Sequence, residues 1–158
     1  MPSITPKLKI NSARNFGGEW LDIVLTGVTF DDAVSEANKF QKKTDAIFIH
    51  AFDNLNVIEG QGGVAVEILE DWQEENLDYV FTCCGGGGLC SGLASYLSQM
   101  SPETKLIGFE PEGSPSMFNS LKTEHPEILS ELDTFIDGAS MKKTGLHPFV
   151  SMALSSVF

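Results

Sequence analysis

A run of four glycines between an apolar segment and a helix-forming segment is the feature that most constrains how this chain folds. The stretch TCCGGGGLCSGLA runs from Thr82 to Ala94, and its glycines are Gly85 to Gly88. Glycine loses more conformational freedom on folding than any other residue. Four ordered glycines therefore need a compensating contact, either the tight packing of a turn or the close approach of a ligand to the backbone.

The segments around the glycines alternate between strand and helix patterns. Four short segments rich in branched and aromatic residues are predicted to be strands: 19–25, 46–49, 79–84 and 105–110. Four segments with apolar residues at intervals of three and four are predicted to be helices: 30–43, 64–76, 93–100 and 116–122. The polar stretch 50–63 predicts a loop. This alternation predicts an α/β fold with a parallel sheet flanked by helices.

The glycine run is predicted to lie at the carboxyl end of a strand and at the start of a helix beginning near Leu89. Ligands of parallel sheets bind at this edge, and the unpaired N–H groups of a helix start attract anions. The run fails G-x-G-x-x-G in both registers, because Cys90 and Ser91 stand where the third glycine belongs, and no lysine completes a P-loop. The ligand that best fits the glycine run is therefore a cofactor monophosphate held by backbone amides. A turn whose glycines serve packing alone is the alternative.

Charge and cysteine content restrict the partners and the compartment. The chain has 22 acidic and 10 basic residues, for a net charge of −12, and such a surface repels nucleic acid. No apolar run approaches the roughly 18 residues of a membrane span. Cys83, Cys84 and Cys90 form neither a disulfide framework nor a zinc site. These features predict a cytoplasmic protein whose three thiols are reduced and buried, and neither nucleic acid nor membrane as a partner.

Four blocks of the sequence resemble fold-type-II pyridoxal-phosphate enzymes, in the order in which those enzymes have them. The glycine loop with the following KLIGFEPEGSPSM segment resembles their phosphate-binding region. The other three blocks are residues 1–33, 48–70 and 136–149. The sequence is most similar to the threonine dehydratase group, with serine racemase as a near relative.

This resemblance implies a fold similar to that of the tryptophan synthase β subunit. Residues 1–45 would belong to the smaller domain and residues 46–158 to the large cofactor-binding domain. The implied cofactor is pyridoxal 5'-phosphate and the implied substrate is threonine or serine. Threonine would give 2-oxobutanoate and ammonia in isoleucine biosynthesis. The implied cofactor-binding residues are Gly85, Gly86, Gly87, Gly88, Leu89 and Gly138. Asp53 and Asn54 are expected to cap a loop.

The chain also departs from the family pattern. The Ser-Phe-Lys motif that carries the covalent lysine and the Ser-Ser-Gly-Asn substrate loop are both missing, so no catalytic residue is assigned. Glu110 matches a cation-binding carboxylate of the serine racemase branch, but Ser116 stands near the second acid, so no metal site is predicted. We expect an incomplete sheet whose exposed edges pair with the missing part of the fold or with another copy. The alternative function is a noncatalytic remnant or interaction module with a residual phosphate loop.

The missing lysine motif predicts that the 158-residue chain alone is inactive and forms no specific covalent bond to pyridoxal phosphate. The chain is mixed with the cofactor and reduced with borohydride, and pyridoxyl-lysine is located by mass spectrometry. We expect only scattered, low labelling of surface lysines. Stoichiometric labelling of one particular lysine would contradict the expectation.

Overall fold

The computed structural model describes residues 1–73, 76–136 and 138–155. The chain divides into two compact units, Met1–Phe48 and Ile49–Phe158. In the described ranges, no helix combines the length and the apolar character needed to cross a membrane.

The first unit contains two helices joined by a 3₁₀ turn. Helix α1 is Lys7–Gly17, the 3₁₀ turn is Gly18–Trp20, and helix α2 is Phe30–Thr44. Helix α2 starts with a capping box, in which Thr29 Oγ1 accepts the Asp32 N–H at 3.2 Å and Asp32 Oδ2 accepts the Thr29 N–H at 2.9 Å. The helix predicted for 30–43 is therefore confirmed.

Two predicted strands, 19–25 and 46–49, are wrong. Residues 18–20 form the 3₁₀ turn, and residues 21–26 and 46–49 are outside any helix or strand in the structure. Sequence pattern alone does not make a strand, because a strand also needs a hydrogen-bonded neighbour. The described hydrogen bonds of Val24 and Thr26 go to the N-terminus: the Met1 ammonium donates to the Val24 carbonyl at 2.8 Å, and the Thr26 N–H donates to the Met1 carbonyl at 2.9 Å.

The second unit is built around two parallel strands connected through a helix. In chain order its elements are α3 (Leu55–Asp71), β1 (Tyr79–Cys83), α4 (Gly88–Met100), β2 (Lys105–Phe109), α5 (Ser116–Thr123) and α6 (Leu146–Ser155). Strands β1 and β2 pair in parallel, with Tyr79 opposite Lys105 and Cys83 opposite Phe109. The strands predicted for 79–84 and 105–110 and the helices predicted for 93–100 and 116–122 are thus confirmed.

Helix α3 begins at Leu55, well before the predicted start at Val64. Asn54 caps it, because its Oδ1 accepts the N–H groups of Asn56 at 3.0 Å and Val57 at 3.3 Å. The glycine-containing part of the predicted 50–63 loop is therefore helical from Leu55 onward. Helices α1 and α6 were not predicted from the sequence.

Helices α3 and α4 approach so closely that their backbones touch. A Cβ on Gly92 would lie 2.6 Å from both the Gly62 nitrogen and the Ile58 carbonyl oxygen. This contact brings α4 onto the main apolar cluster of the unit. The cluster consists of Ala65, Val80, Cys84, Cys90, Leu93, Ala94, Leu97, Leu106, Met117 and Met152.

Within the described part of the second unit, one face of the β1–β2 pair is buried and the other is exposed. Val80 and Leu106 point into the apolar cluster, whereas Tyr79, Phe81 and Phe109 are exposed, Phe81 to 68%. Parallel sheets normally have both faces covered. The open face is therefore a surface on which further structure can pack.

The α3–α4 contact predicts opposite effects for two glycine-to-alanine substitutions. Gly92→Ala places a Cβ against rigid backbone and should lower the free energy of unfolding by about 1–3 kcal/mol. Gly60→Ala is the control, because Gly60 is exposed in α3 and its Cβ would meet nothing within 4 Å. That substitution should raise the stability by about 0.5–1 kcal/mol. Urea unfolding followed by circular dichroism measures both, and equal effects would contradict the close contact.

Candidate functional site

Two of the four glycines pack against the side chain of Phe52. A Cβ on Gly86 would overlap the Phe52 ring, and a Cβ on Gly88 would lie 2.9 Å from Phe52 Cβ. The His50 ring meets the Phe52 ring edge-on, with 4.6 Å between their centroids. His50 Nδ1 also accepts the N–H groups of Phe52 at 3.3 Å and Asp53 at 3.0 Å, which fixes the turn that carries Phe52.

The other two glycines pack against later parts of the chain. Gly87 has a positive φ of 92°, and its Cβ would lie 2.6 Å from Met117 Cε and 2.7 Å from Pro148 Cβ. A Cβ on Gly85 would lie 3.1 Å from Ala139 Cα. Protein atoms therefore leave no room for a side chain at Gly87 and little at Gly85, and the φ of Gly87 disfavours any other residue.

The start of α4 carries N–H groups to which the described residues supply no hydrogen-bond acceptor. The first backbone bond of this helix runs from the Ser91 N–H to the Gly87 carbonyl, at 2.9 Å. The N–H groups of Gly88 and Leu89 precede that bond, and the described residues provide neither of them with a side-chain cap. Leu89 is half-buried in the first turn, close to where the helix was expected to begin.

The other helices of the second unit have side-chain caps at their starts. Asn54 caps α3, Glu110 caps α5 and Asp53 caps α6. Among the described helices of this unit, α4 is thus the one whose first N–H groups meet no side-chain oxygen. Its start combines uncapped donors with the positive end of the helix dipole, which is the arrangement that binds a phosphate group.

Asp53 caps a helix that lies far away in the sequence. Its carboxylate accepts the N–H groups of Leu146 at 3.1 Å and His147 at 3.0 Å, and its Oδ1 lies 2.9 Å from His147 Nδ1. Burial raises the pKa of Asp53, but the hydrogen bonds from His147 and Leu146 outweigh it, so the pKa lies below its ordinary value. Asp53 and Asn54 were expected to cap a loop, but in the structure they cap helices: Asn54 caps α3 and Asp53 caps α6.

Glu110 uses both carboxylate oxygens to cap α5. Oε1 accepts the Met117 N–H at 2.9 Å and Oε2 accepts the Phe118 N–H at 2.7 Å. Burial nevertheless raises the pKa of Glu110, because these bonds and the weaker one from Ser116 do not offset the desolvation. Across the described ranges, no group of three or more His, Cys, Asp or Glu side chains is placed to hold a metal ion.

Gly138 immediately precedes Ala139, the residue that contacts Gly85 of the glycine run. It is exposed, and a Cβ on it would meet nothing within 4 Å. Its neighbour Ala139 contacts Gly85, and the N–H groups of Ala139 and Ser140 both donate to the Ile136 carbonyl at 3.1 Å. The fold thus brings Ala139, next to Gly138, against Gly85, although the two segments are far apart in the sequence.

The three cysteines divide between the core and the open sheet face. Cys84 and Cys90 are buried, and a hydrogen bond with Cys90 together with burial raises the pKa of Cys84. Cys83 is exposed at the end of β1, which differs from the expectation that all three are buried. The reason is that Cys83 alternates with the buried Thr82 and so lies on the exposed face of the sheet, with Tyr79 and Phe81.

A family model supports the assignment suggested by the four sequence blocks. The model named "Pyridoxal-phosphate dependent enzyme" matches residues 1–154. The chain belongs to the pyridoxal-phosphate dependent enzyme family. The resemblance and the α/β fold class with a parallel sheet flanked by helices are therefore confirmed.

Individual members of this family give a finer comparison. The chain is 45% identical over 149 residues to a biosynthetic L-threonine dehydratase of Halalkalibacterium halodurans, covering 94% of this chain and 36% of that protein. It is 40% identical to threonine deaminase isoform 2 of Solanum lycopersicum, with a TM-score of 0.85, covering 97% of this chain and 43% of that one. It is 29% identical to serine racemase of Dictyostelium discoideum, with a TM-score of 0.78, covering 98% of this chain and 47% of that one. The chain therefore spans less than half the length of each of these relatives.

Sequence reasoning found the glycine run but missed the segments that enclose it. Phe52 contacts the glycine run across more than thirty residues of sequence, and Pro148 contacts it across about sixty. Asp53 bonds to the start of α6, which itself packs against the run. The one available signal was the pair Asp53–Asn54, two residues that favour helix starts. No local pattern in the sequence indicates that Asp53 caps α6 rather than α3.

The pKa shifts of the two capping carboxylates predict opposite pH dependences. Asp53 has a lowered pKa, so its contribution to stability is present above about pH 4 and is lost as the pH falls through its folded pKa. Glu110 has a raised pKa, so its contribution is present at low pH and is lost as the pH rises above its ordinary value. Unfolding free energies of wild type, Asp53→Asn and Glu110→Gln are compared from pH 3 to pH 7. As the pH rises, the unfolding free energy of the wild type should increase relative to that of Asp53→Asn and decrease relative to that of Glu110→Gln. Parallel pH profiles of the three proteins would contradict both assignments.

Proposed function

We propose that this chain forms the phosphate-binding part of a pyridoxal-phosphate-dependent dehydratase that acts on threonine, or on the closely related serine. The observation that carries the proposal is the uncapped start of α4, placed directly after β1 and the glycine run. The named activities of its relatives, threonine dehydratase and threonine deaminase, support this substrate class. Threonine would yield 2-oxobutanoate and ammonia.

The residues of the chain hold the phosphate through backbone donors. The N–H groups of Gly88 and Leu89 bind its oxygens, assisted by the positive end of α4. Hydrogen bonds to a charged group contribute about 1.5–3 kcal/mol each. Gly85, Gly86 and Gly87 shape the approach to these donors, and Phe52 shields the run from water. When bound, the cofactor supplies a ring that accepts the electrons left on the substrate after proton loss.

Gly138 is the second point of contact in the proposal. Its exposed backbone lies one residue from the contact between Ala139 and Gly85, so the segment 138–139 borders the phosphate site. We place it beside the cofactor ring, as the resemblance implies. Because Gly138 has no side chain, a flat ring can approach this backbone closely.

The proposed active site also needs residues that this sequence does not contain. Within the proposal, residues 1–45 belong to the smaller domain and residues 46–158 to the large cofactor-binding domain. The covalent lysine and the loop for the substrate carboxylate come from further enzyme sequence, either in the same polypeptide or in a partner. We place the protein in the cytoplasm, where its reduced thiols are stable.

A second candidate function is a noncatalytic interaction module, and the open face of the sheet favours it. Tyr79 and Phe81 stack at 6.2 Å between ring centroids on β1, and Phe109 is exposed on β2. Exposed apolar surfaces of this kind mark places where another chain packs. The partner would be the remaining part of such an enzyme or a second copy of this chain.

A chimeric enzyme separates the two candidates. The matching segment of the Bacillus subtilis biosynthetic L-threonine dehydratase, 45% identical over 149 residues, is replaced by this chain. The proposal expects a folded chimera that binds pyridoxal phosphate and forms 2-oxobutanoate from threonine. A folded chimera without cofactor binding or activity would overturn it and favour the interaction module.

Two variants of that chimera test the backbone donors. Leu89→Pro removes one N–H at a first-turn position where proline is tolerated. Leu89→Ala removes a comparable amount of side chain and keeps the N–H. Cofactor affinity, measured by the absorbance of bound pyridoxal phosphate, should fall at least tenfold more in Leu89→Pro than in Leu89→Ala. Equal affinities in the two folded variants would contradict the role of the Leu89 N–H.

A further inference from the structure

Asp53 connects the turn before α3 to the start of α6. Its two carboxylate oxygens accept the Leu146 and His147 N–H groups, and Oδ1 also meets His147 Nδ1 at 2.9 Å. The two segments touch so closely that a Cβ on Gly145 would lie 2.9 Å from Asp53 Cβ. A neutral residue at this position would leave the start of α6 with weaker acceptors.

The start of α6 is in turn bonded to the glycine run. The Gly145 N–H donates to the Gly86 carbonyl at 3.1 Å, and Thr144 Oγ1 lies 3.4 Å from the same oxygen. Pro148 occupies the space where a Gly87 side chain would be. Any movement of residues 144–148 therefore moves the backbone of Gly86 and Gly87.

Phe52 contacts the glycine run from another direction, and it is the residue next to Asp53. Its ring lies against Gly86 and its Cβ lies against Gly88. The backbone of Asp53 is fixed by His50 Nδ1, which accepts its N–H at 3.0 Å. One side chain, that of Asp53, thus couples the two segments that enclose the run.

We infer that Asp53 is a positioning residue: it holds α6 and Phe52 around the glycine run and so sets the direction of the Gly88 and Leu89 N–H groups. This inference deepens the proposed function and rests on it, because the positioned groups are the proposed phosphate donors. Asp53 itself does not touch the phosphate. Its loss acts through the run, whereas the loss of an ordinary helix cap lowers stability alone.

The adjacent residue provides a matched control. Asn54 is also an N-cap, but it caps its own helix, α3, through Asn56 and Val57. Asp53→Ala and Asn54→Ala therefore each remove one cap from neighbouring positions. Only Asp53→Ala breaks the connection to α6.

Amide hydrogen exchange on the 158-residue chain measures the effect. The reporting amides are Gly145, bonded to the Gly86 carbonyl, and Ser91, bonded to the Gly87 carbonyl. The amide of Leu97, a buried residue in the last turn of α4 and away from the glycine run, reports opening of the whole unit. Relative to Leu97, exchange at Gly145 and Ser91 should rise at least tenfold in Asp53→Ala and less than twofold in Asn54→Ala. Equal ratios in the two variants, or no rise in Asp53→Ala, would overturn the inference.

Inorganic phosphate provides a second readout on the same samples. Titration followed by the Leu89 amide NMR shift should show at least fivefold weaker binding in Asp53→Ala and less than twofold weaker binding in Asn54→Ala. A wild-type chain with no phosphate-dependent shift would count against the proposed function, and the exchange ratio would then decide the positioning role alone. If Asp53→Ala does not fold, Asp53→Asn, which keeps one acceptor oxygen, replaces it in both measurements.

Discussion

The close packing of protein atoms around the backbone of residues 85–88 is the constraint on which the second unit depends. The run connects β1 to α4, the turn at Phe52 lies against it, and Gly87 fits between Met117 and Pro148. A side chain at Gly86, Gly87 or Gly88 would push one of these segments away. Within the described residues, the first N–H groups of α4 that follow this run have no side-chain cap. Packing and anion binding are therefore not competing explanations of the glycines, because the packing creates the geometry that binding would use.

Those parts of the fold that follow from local pattern were predictable from the sequence. Helix α2 begins at a Thr29–Asp32 capping box, and β1 and β2 are short apolar segments on either side of a helix. The predicted strands at 19–25 and 46–49 failed because strand formation depends on a neighbouring strand, which no local pattern specifies. The start of helix α3 was predicted too late, because glycines are typical of loops and the segment that contains them was predicted to be one. Gly62 is instead required where α3 crosses Gly92 of α4.

The candidate site was predictable in its centre and not at its edges. Four glycines between a strand and a helix have few uses, so residues 85–89 stood out without any structural knowledge. Asp53 and Phe52 gave no comparable signal, because their contacts to α6 and to the run join segments that only the tertiary fold brings together. Capping residues are recognisable by type, but which helix they cap is a three-dimensional property.

The open face of the β1–β2 sheet ties the behaviour of the chain in solution to its charge. Phe81 and Phe109 form part of an apolar surface on a molecule with a net charge of −12. Mutual repulsion keeps copies apart at neutral pH and low salt. That repulsion vanishes near the isoelectric point of about 4.5 and is screened within roughly 8 Å at physiological ionic strength. Lower pH and added salt thus promote self-association of this chain, and the apolar sheet face is where its molecules first make contact.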